Sequence, residues 1–254
     1  MSNYPVAVII PIYKKELNYF EIISLKQCFK IFSQYHIIFV APPDIDFKVY
    51  FAICTAKYQI VHFKTKYFQS IKGYNELMLS ADFYKTFLSF KFILIYQLDA
   101  FVFKDELIYW CKQNYDFIGA PHPQYDNLNR EMQFLKNYSK VLMLLKTKWR
   151  INHKISNVGN GGLSLRKTKS FYLLLKILKN KAKNWPYNED SFFEYWGNLF
   201  YPFFNLPTDD VALRFSIETL PKESLKKLNY DLPFGCHAFE KYDWQTWKPY
   251  IINE

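Results

Sequence analysis

Two apolar runs that show no polar alternation constrain this chain most: Val6-Ala-Val-Ile-Ile-Pro-Ile12 and His36-Ile-Ile-Phe-Val-Ala41. A strand with one wet face alternates polar and apolar residues. A strand buried on both faces does not, and such strands belong to parallel sheets covered by helices. Asn18-x-x-Glu21, between the two runs, has capping-box spacing and opens a helix through Tyr35. Pro42-Pro43 stops the second strand, and Tyr58 to Phe63 is a third candidate. Ile71, Tyr74, Leu77, Met78, Ala81, Tyr84 and Leu88 keep the 3–4 spacing of one amphipathic helix. Phe92 to Phe103 is the longest strand candidate, with Asp99 inside it. This alternation predicts a doubly wound, mostly parallel α/β sheet, which binds ligands outside the carboxyl ends of its strands. The dinucleotide fingerprint GxGxxG is absent after the first strand, where Pro11-Ile-Tyr-Lys14 stands instead.

The second half is more irregular. It holds a helix from Asn129 to Lys146, a glycine-rich loop, and a Lys-rich helix with Phe171, Leu174, Leu175 and Leu178 on its apolar face. The 254 residues are half hydrophobic and one fifth aromatic, enough for a sizeable core. The net charge of +10 admits nucleic acid, an anionic membrane surface or phosphorylated small molecules as partners. Met1-Ser-Asn-Tyr-Pro5 runs straight into the first strand with no signal peptide, and no apolar stretch is long enough to span a membrane. Cys28, Cys54, Cys111 and Cys236 lack metal or disulfide patterning and read as buried thiols of a reducing compartment. A cytoplasmic location follows, with peripheral contact to an anionic inner membrane face as an extension of it.

Glycine is scarce, yet three of seven fall in Asn157-Val-Gly-Asn-Gly-Gly-Leu-Ser-Leu-Arg166. Glycine admits φ > 0 and close approach of backbone to a ligand. The turn Asn188-Glu-Asp190 follows. By themselves Glu189 and Asp190 are first-turn acids of a helix Ser191–Trp196 capped by Asn188. Beside a glycine loop they form an exposed carboxylate pair that suits a general base. Asp99 is costly in an apolar strand unless paired, solvated or bound to a cation. His237, in Pro233-Phe-Gly-Cys-His237, reads alone as a hydrogen-bonded core residue. Asp209 and Asp210 cap a following helix, and Tyr195 to Phe204 is an aromatic core run.

These stretches resemble the GT-A glycosyltransferases, and among them a bacterial family known mainly as a domain of unknown function. The resemblance rests on Tyr74-Asn-Glu-Leu-Met-Leu-Ser80, Ile95-Tyr-Gln-Leu-Asp99, Asp116-Phe-Ile-Gly-Ala-Pro121, Gly159-Asn-Gly-Gly-Leu-Ser-Leu-Arg166, Asn188-Glu-Asp190 and Pro233-Phe-Gly-Cys-His237, in that order. It implies a single GT-A-like domain, with a nucleotide-sugar half at 1–105 and an acceptor-side half at 106–254. It also implies an inverting transfer of sugar to a hydroxyl, in bacterial surface glycan synthesis. Asp99 matches the first acid of an Asp-x-Asp metal motif, Gly161 and Gly162 the glycine loop, Asp190 the base beside Glu189, and His237 the C-terminal metal ligand. Pro11, Ile12 and Tyr13 would flank the base of a UDP-sugar, Asn75 would bond its sugar or ribose, and Lys72 would neutralise phosphate should metal be absent. A divalent cation, Mn²⁺ or Mg²⁺, is expected at Asp99 and His237, although Phe101 replaces the second acid. The acceptor would be a glycan or a lipid-linked glycan. A nucleotidyltransferase or a non-catalytic nucleic-acid binder are the rival readings. Nucleic acid is not the expected partner, since no helix-turn-helix, RNP-like strand or zinc pattern is present.

Overall fold

The computed structural model describes residues 5–122, Leu144 and 156–252. Its main sheet has six strands in the order β3-β2-β1-β4-β7-β6. β1 (Val6–Pro11), β2 (His36–Ala41), β3 (Tyr58–His62) and β4 (Phe92–Tyr96) are parallel, with Ile9 between Ile38 and Ile95. β7 (Leu163–Lys167) runs antiparallel to β4, and β6 (Phe117–Ile118) antiparallel to β7. The sheet is therefore mixed α/β and mostly parallel, as the apolar runs predict.

The two-residue period of β1 divides its side chains between two helical layers. Val6, Val8 and Ile10 meet Leu25, Phe29 and Phe32 of α1 (Tyr19–Phe32) on one face. Ala7 and Ile9 join Leu77, Phe83, Phe171 and Phe193 on the other. Helix α1 starts where expected: Asn18 Oδ1 accepts from Glu21 N at 2.9 Å, and Asn18 N donates to Glu21 Oε2 at 2.9 Å. It ends at Phe32 rather than Tyr35. A short helix α2 (Lys48–Phe51) precedes β3.

Two predicted elements are each broken in two. The helix expected over Ile71 to Leu88 is α3 (Ile71–Met78) and α4 (Ala81–Thr86). Ser80 between them is extended (φ −91, ψ 125) and takes the N-cap position of α4, with Asp82 in the favourable first turn. The strand expected over Phe92 to Phe103 ends at Tyr96, so Asp99 sits in a turn and not inside a strand. The chain then enters a second sheet, where β5 (Ala100–Val102) pairs antiparallel with β9 (Gly235–His237), itself parallel to β8 (Ser216–Ile217). The buried Tyr96 hydroxyl lies 2.9 Å from the Ser24 carbonyl and 3.1 Å from that of Ala100, tying this turn to α1.

Helix α5 (Leu107–Gln113) leads into β6. After β7 come α6 (Thr168–Ile177) and α7 (Lys179–Lys183), which divide the Lys-rich helix at Leu178. Phe171, Leu174 and Leu175 are buried as predicted, and Leu178 is half-buried. Then follow α8 (Glu189–Leu199), α9 (Asp209–Phe215), α10 (Pro221–Lys227) and α11 (Trp244–Ile251). The helix expected at Asn129 to Lys146 lies outside the described residues except for Leu144, which is helical. Asp209 does not cap α9. It stands in the first turn, after Thr208 at the N-cap position, and its carboxylate accepts from Asn157 N and Nδ2 at 2.9 and 2.7 Å. The aromatic run ends partly in solvent: Phe204 is buried, but Phe203 is 87% exposed. Cys54 is half-buried, unlike the other three thiols. Among the described residues no helix is long and apolar enough to cross a membrane.

Phe101, at the position where a second acid is missing, is a core residue of the small sheet. Its ring meets those of Phe103 and Phe239 at 5.3 and 6.1 Å, within a cluster that includes Ile217 and Trp247. Phe101→Asp is therefore expected to lower stability by at least ~3 kcal/mol, through a lost aromatic and a buried carboxylate. It should gain no affinity for Mn²⁺. Chemical denaturation and metal titration of the variant check both points, and near-wild-type stability would sink them.

Candidate active site

The carboxyl ends of β1 and β4 open into a cleft of about 630 Å³, within the range of small-molecule sites. Pro11, Ile12 and Tyr13 leave β1 on one side of it. Gln97, Leu98 and Asp99 form the turn after β4. Because β7 is antiparallel, the glycine loop before it lies beside that turn, and Gln97 N donates to Gly162 O at 2.9 Å. Ala100 pairs with His237 across the small sheet, which carries the imidazole to Asp99. Helix α8 supplies Glu189 and Asp190 from its first turn.

The glycines serve close approach rather than backbone conformation, for none has positive φ. A Cβ on Gly161 would strike the Glu189 carboxylate, and one on Gly162 would strike the His237 ring. Asn160, buried between them, accepts from Gly162 N at 2.9 Å and Leu163 N at 3.2 Å through its Oδ1.

The two acids of the turn have different fates. Glu189 is buried, not exposed as its place at a helix start suggests, and its Oε1 takes a 2.8 Å hydrogen bond from Arg166. Asp190 has no ion-pair partner among the described residues, and its Oδ1 accepts only from Ser191 N at 2.7 Å. Burial, and then the Glu189 charge, raise its pKa to about 7. Asn188 occupies the N-cap position but makes no cap bond with its side chain. Its Oδ1 instead accepts from Asn75 Nδ2 at 3.0 Å, so Asn75 is engaged with this turn.

His237 Nε2 lies 3.0 Å from Asp99 Oδ1 and 3.3 Å from Gln97 Oε1, and Nδ1 lies 3.2 Å from Glu218 Oε1. Burial pulls the imidazole pKa down, but Asp99 and Glu218 outweigh it and raise it to about 10. Burial likewise favours neutral Asp99 and Glu218, and the imidazolium overrides it, holding both below the usual carboxylate range. Asp99 Oδ1 is nevertheless a buried oxygen with no aligned hydrogen bond. A divalent cation that displaced the Nε2 proton of this pair would find the Asp99 oxygen and the imidazole nitrogen converging on it, with a carboxylate near the second ring nitrogen. No group of three or more ligating side chains stands among the described residues, so the protein offers two strong donors and leaves further positions to a ligand.

Six carboxylates line the cleft, from Glu21, Asp99, Glu189, Asp190, Glu218 and Glu240, against Lys14, Lys241 and His237. Lys14 is already paired with Glu21. Lys72 is absent from this cleft and lines a neighbouring one. Gln97, Asn160, Arg166 and Glu218 carry no motif signal by themselves. The carboxyl-end rule, for Gln97, and proximity to the glycine loop, for Asn160 and Arg166, point to them, and all three fall within the stretches that carry the resemblance, though it implies no role for them. Glu218 lies on a segment whose approach to His237 is set by the β8–β9 pairing.

A family model described as a protein of unknown function, DUF5672, matches residues 57–237. A search of the curated proteins finds no match to the sequence. Among solved structures, apo mouse xyloside xylosyltransferase 1 is similar, at 9% identity and TM-score 0.52, over 91% of this chain and 96% of that one. The galactosyltransferase LgtC, in complex with donor and acceptor sugar analogs, matches at 13% identity and TM-score 0.52, over 91% and 86%. The apo glycosyltransferase GlyE of Streptococcus pneumoniae TIGR4 matches at 11% identity and TM-score 0.51, over 97% of this chain and 60% of that one. The likeness is one of fold: the chain has the GT-A fold of glycosyltransferases.

Arg166 is fully buried, and its loss strands the Glu189 carboxylate. Arg166→Met is expected to cost about 3–5 kcal/mol, the range for breaking one side of a buried pair. Adding Glu189→Gln should return part of that loss. Urea denaturation of the two single variants and the double variant measures the coupling, and strict additivity would deny it.

Proposed function

The chain belongs to the DUF5672 family, and we propose that it is a glycosyltransferase that moves a sugar from a nucleotide-sugar donor to a hydroxyl acceptor with inversion. The observation that carries this reading is the state of Asp190: a half-buried carboxylate at the cleft wall with no ion-pair partner among the described residues, beside a glycine loop on which Glu189 and His237 pack closely. A pKa of about 7 suits a general base at neutral pH. The acceptor hydroxyl gives its proton to Asp190 as its oxygen bonds to the anomeric carbon. The bond from that carbon to the diphosphate breaks on the opposite face, and the electron pair leaves with the nucleoside diphosphate. Glu189, tied to Arg166, holds the turn and does not take the proton. Pro11, Ile12 and the half-exposed Tyr13 wall the nucleotide side, and the backbone of Gly161 and Gly162 lines the cleft where the donor sugar would lie.

Asp99 and His237 would hold a divalent cation, whose chemistry is to neutralise the diphosphate leaving group. The cleft favours this over a lysine-only arrangement, because its carboxylates outnumber its free cations and would repel an unaccompanied diphosphate. Imidazole suits Mn²⁺ better than the harder Mg²⁺. A UDP-sugar is the first donor to test, and a glycan or lipid-linked glycan the first acceptor. The setting proposed is bacterial surface glycan synthesis in the cytoplasm, with the +10 charge favouring the anionic inner membrane face.

Asp190→Asn is expected to fold normally and to lose ~10²–10⁴-fold in kcat. In the wild type, kcat/KM should rise with pH through about 7 as the carboxylate loses its proton, and that limb should vanish in the variant. Near-wild-type turnover, or a product of retained anomeric configuration by NMR, would remove Asp190 as the base of an inverting reaction.

Asp99→Asn and His237→Gln should each weaken nucleoside diphosphate binding in Mn²⁺ far more than in EDTA. Calorimetry reads both arms. Full activity in EDTA, unaltered by Mn²⁺, would leave His237 and the lysines to meet the phosphates.

A further inference from the structure

A second cleft, of about 1260 Å³, lies against the first and shares Tyr67, Ile71, Asn75 and Asn188 with it. Its charge is the opposite. Lys72 and Lys85 stand on the α3–α4 wall, and Lys176, Lys179 and Lys183 on the α6–α7 wall, against only Glu76 and Asp82. All five lysines are exposed, and none pairs with a carboxylate among the described residues. Tyr172, Trp185 and Tyr187 line the same space half-buried. Trp185 is held rigidly: its Nε1 donates toward Asn188 O at 3.1 Å and Ser191 Oγ at 3.0 Å, and its ring packs on Tyr187 and Phe192.

Fixed aromatic faces receive the C–H faces of sugar rings, and unpaired lysines receive anions. The shared wall is the Asn75–Asn188 bond, one residue from Glu189 and two from Asp190. A chain of sugars in this cleft would therefore end beside the base. Resting on the glycosyltransferase reading, we propose that this second cleft binds the acceptor, and that the acceptor is an acidic glycan, bearing phosphate or carboxylate groups along the saccharides that precede the reacting hydroxyl. Lysines at both walls grip its charges, and Trp185 and Tyr187 stack the sugar nearest the wall. The donor cleft, rich in carboxylates, repels the same chain, which keeps acceptor and donor in separate places.

The test titrates the protein with an oligouronate, a phosphorylated oligosaccharide, and a neutral dextran oligosaccharide of equal length, followed by tryptophan fluorescence. Vesicles of phosphatidylglycerol and single-stranded DNA are separate arms. Both acidic saccharides should bind, more weakly as salt rises, and the neutral one should not. The variant Lys176→Glu/Lys179→Glu/Lys183→Glu should lose about tenfold or more of that affinity, since exposed ion contacts are individually modest. Its melting temperature and its nucleoside diphosphate binding should stay unchanged. Lys72→Glu/Lys85→Glu repeats the test from the opposite wall. Equal binding of neutral and acidic saccharides, or variants with undiminished binding, would overturn the proposal. Binding confined to vesicles, or to DNA, would also overturn it, in favour of a membrane or nucleic-acid surface. If acidic saccharides bind but no sugar nucleotide binds or is hydrolysed, the cleft stands and the glycosyltransferase reading falls.

Discussion

The site depends on one guanidinium. Arg166, without solvent contact, donates to Glu189 Oε1 at 2.8 Å, Tyr84 Oη at 2.7 Å, Ser164 Oγ at 3.0 Å and Gly161 O at 3.2 Å. The rings of Phe117, Phe171 and Phe193 surround its plane at 5.5–5.8 Å. One side chain thus ties together β7, the glycine loop, α4 and the start of α8. A buried ion pair of this kind adds little net stability, because desolvation offsets its attraction. What it does is set position. Glu189 is committed to Arg166, while Asp190, the next residue, lines the cleft with no ion-pair partner among the described residues. Burial, and then the Glu189 charge, raise that carboxylate into the range useful for proton transfer.

The charge of the chain is divided along the same wall. A net charge of +10 spread evenly would make every cleft attractive to anions. Instead the first cleft gathers carboxylates and the second gathers lysines, with the Asn75–Asn188 bond between them. A neutral amide pair is the appropriate partition: it is polar enough to sit at a solvent edge and favours neither sign. It also gives Asn75 a place in the donor wall without leaving its side chain free for a ligand.

Strands β1, β2 and β4 were legible because they are buried on both faces, and continuous apolar runs encode that burial directly, whereas β3 at the sheet edge is only partly buried. The capping box at Asn18 was legible because both its partners lie within one turn. What failed was continuity. Ile71 to Leu88 keeps helical spacing throughout, yet a periodicity does not record that Ser80 leaves the helix. Phe92 to Phe103 is apolar except at Gln97 and Asp99 because both of its halves are buried, and composition cannot show that the second half pairs into a different sheet. Within the site, Asp99, His237 and Asp190 are conspicuous as polar residues in apolar or glycine-rich settings. Glu218 and Asn160 are ordinary in sequence, and only the register of β9 against β5 and β8 brings Glu218 behind His237. The difference between Glu189 and Asp190 depends on Arg166, and no local pattern carries it.

The same register accounts for Phe101. Asp99 is the last residue before β5 begins, so its side chain still faces the cleft. Two residues on, the strand is paired to β9, and the side chain at 101 packs under α11 against Trp247 and Phe239. An acid there would stand in an aromatic core instead of a cleft. In the proposed cation site the second donor would be His237, which the strand pairing places opposite Ala100 at the open end of the same ladder. Asn160 Nδ2 at 2.9 Å and Glu218 Oε1 at 3.2 Å both meet the ring's Nδ1 and hold its orientation, as second partners commonly do for an imidazole at a cation site. The loss of one acid from the turn and the placement of an imidazole across from it are thus two consequences of closing the turn into a second sheet.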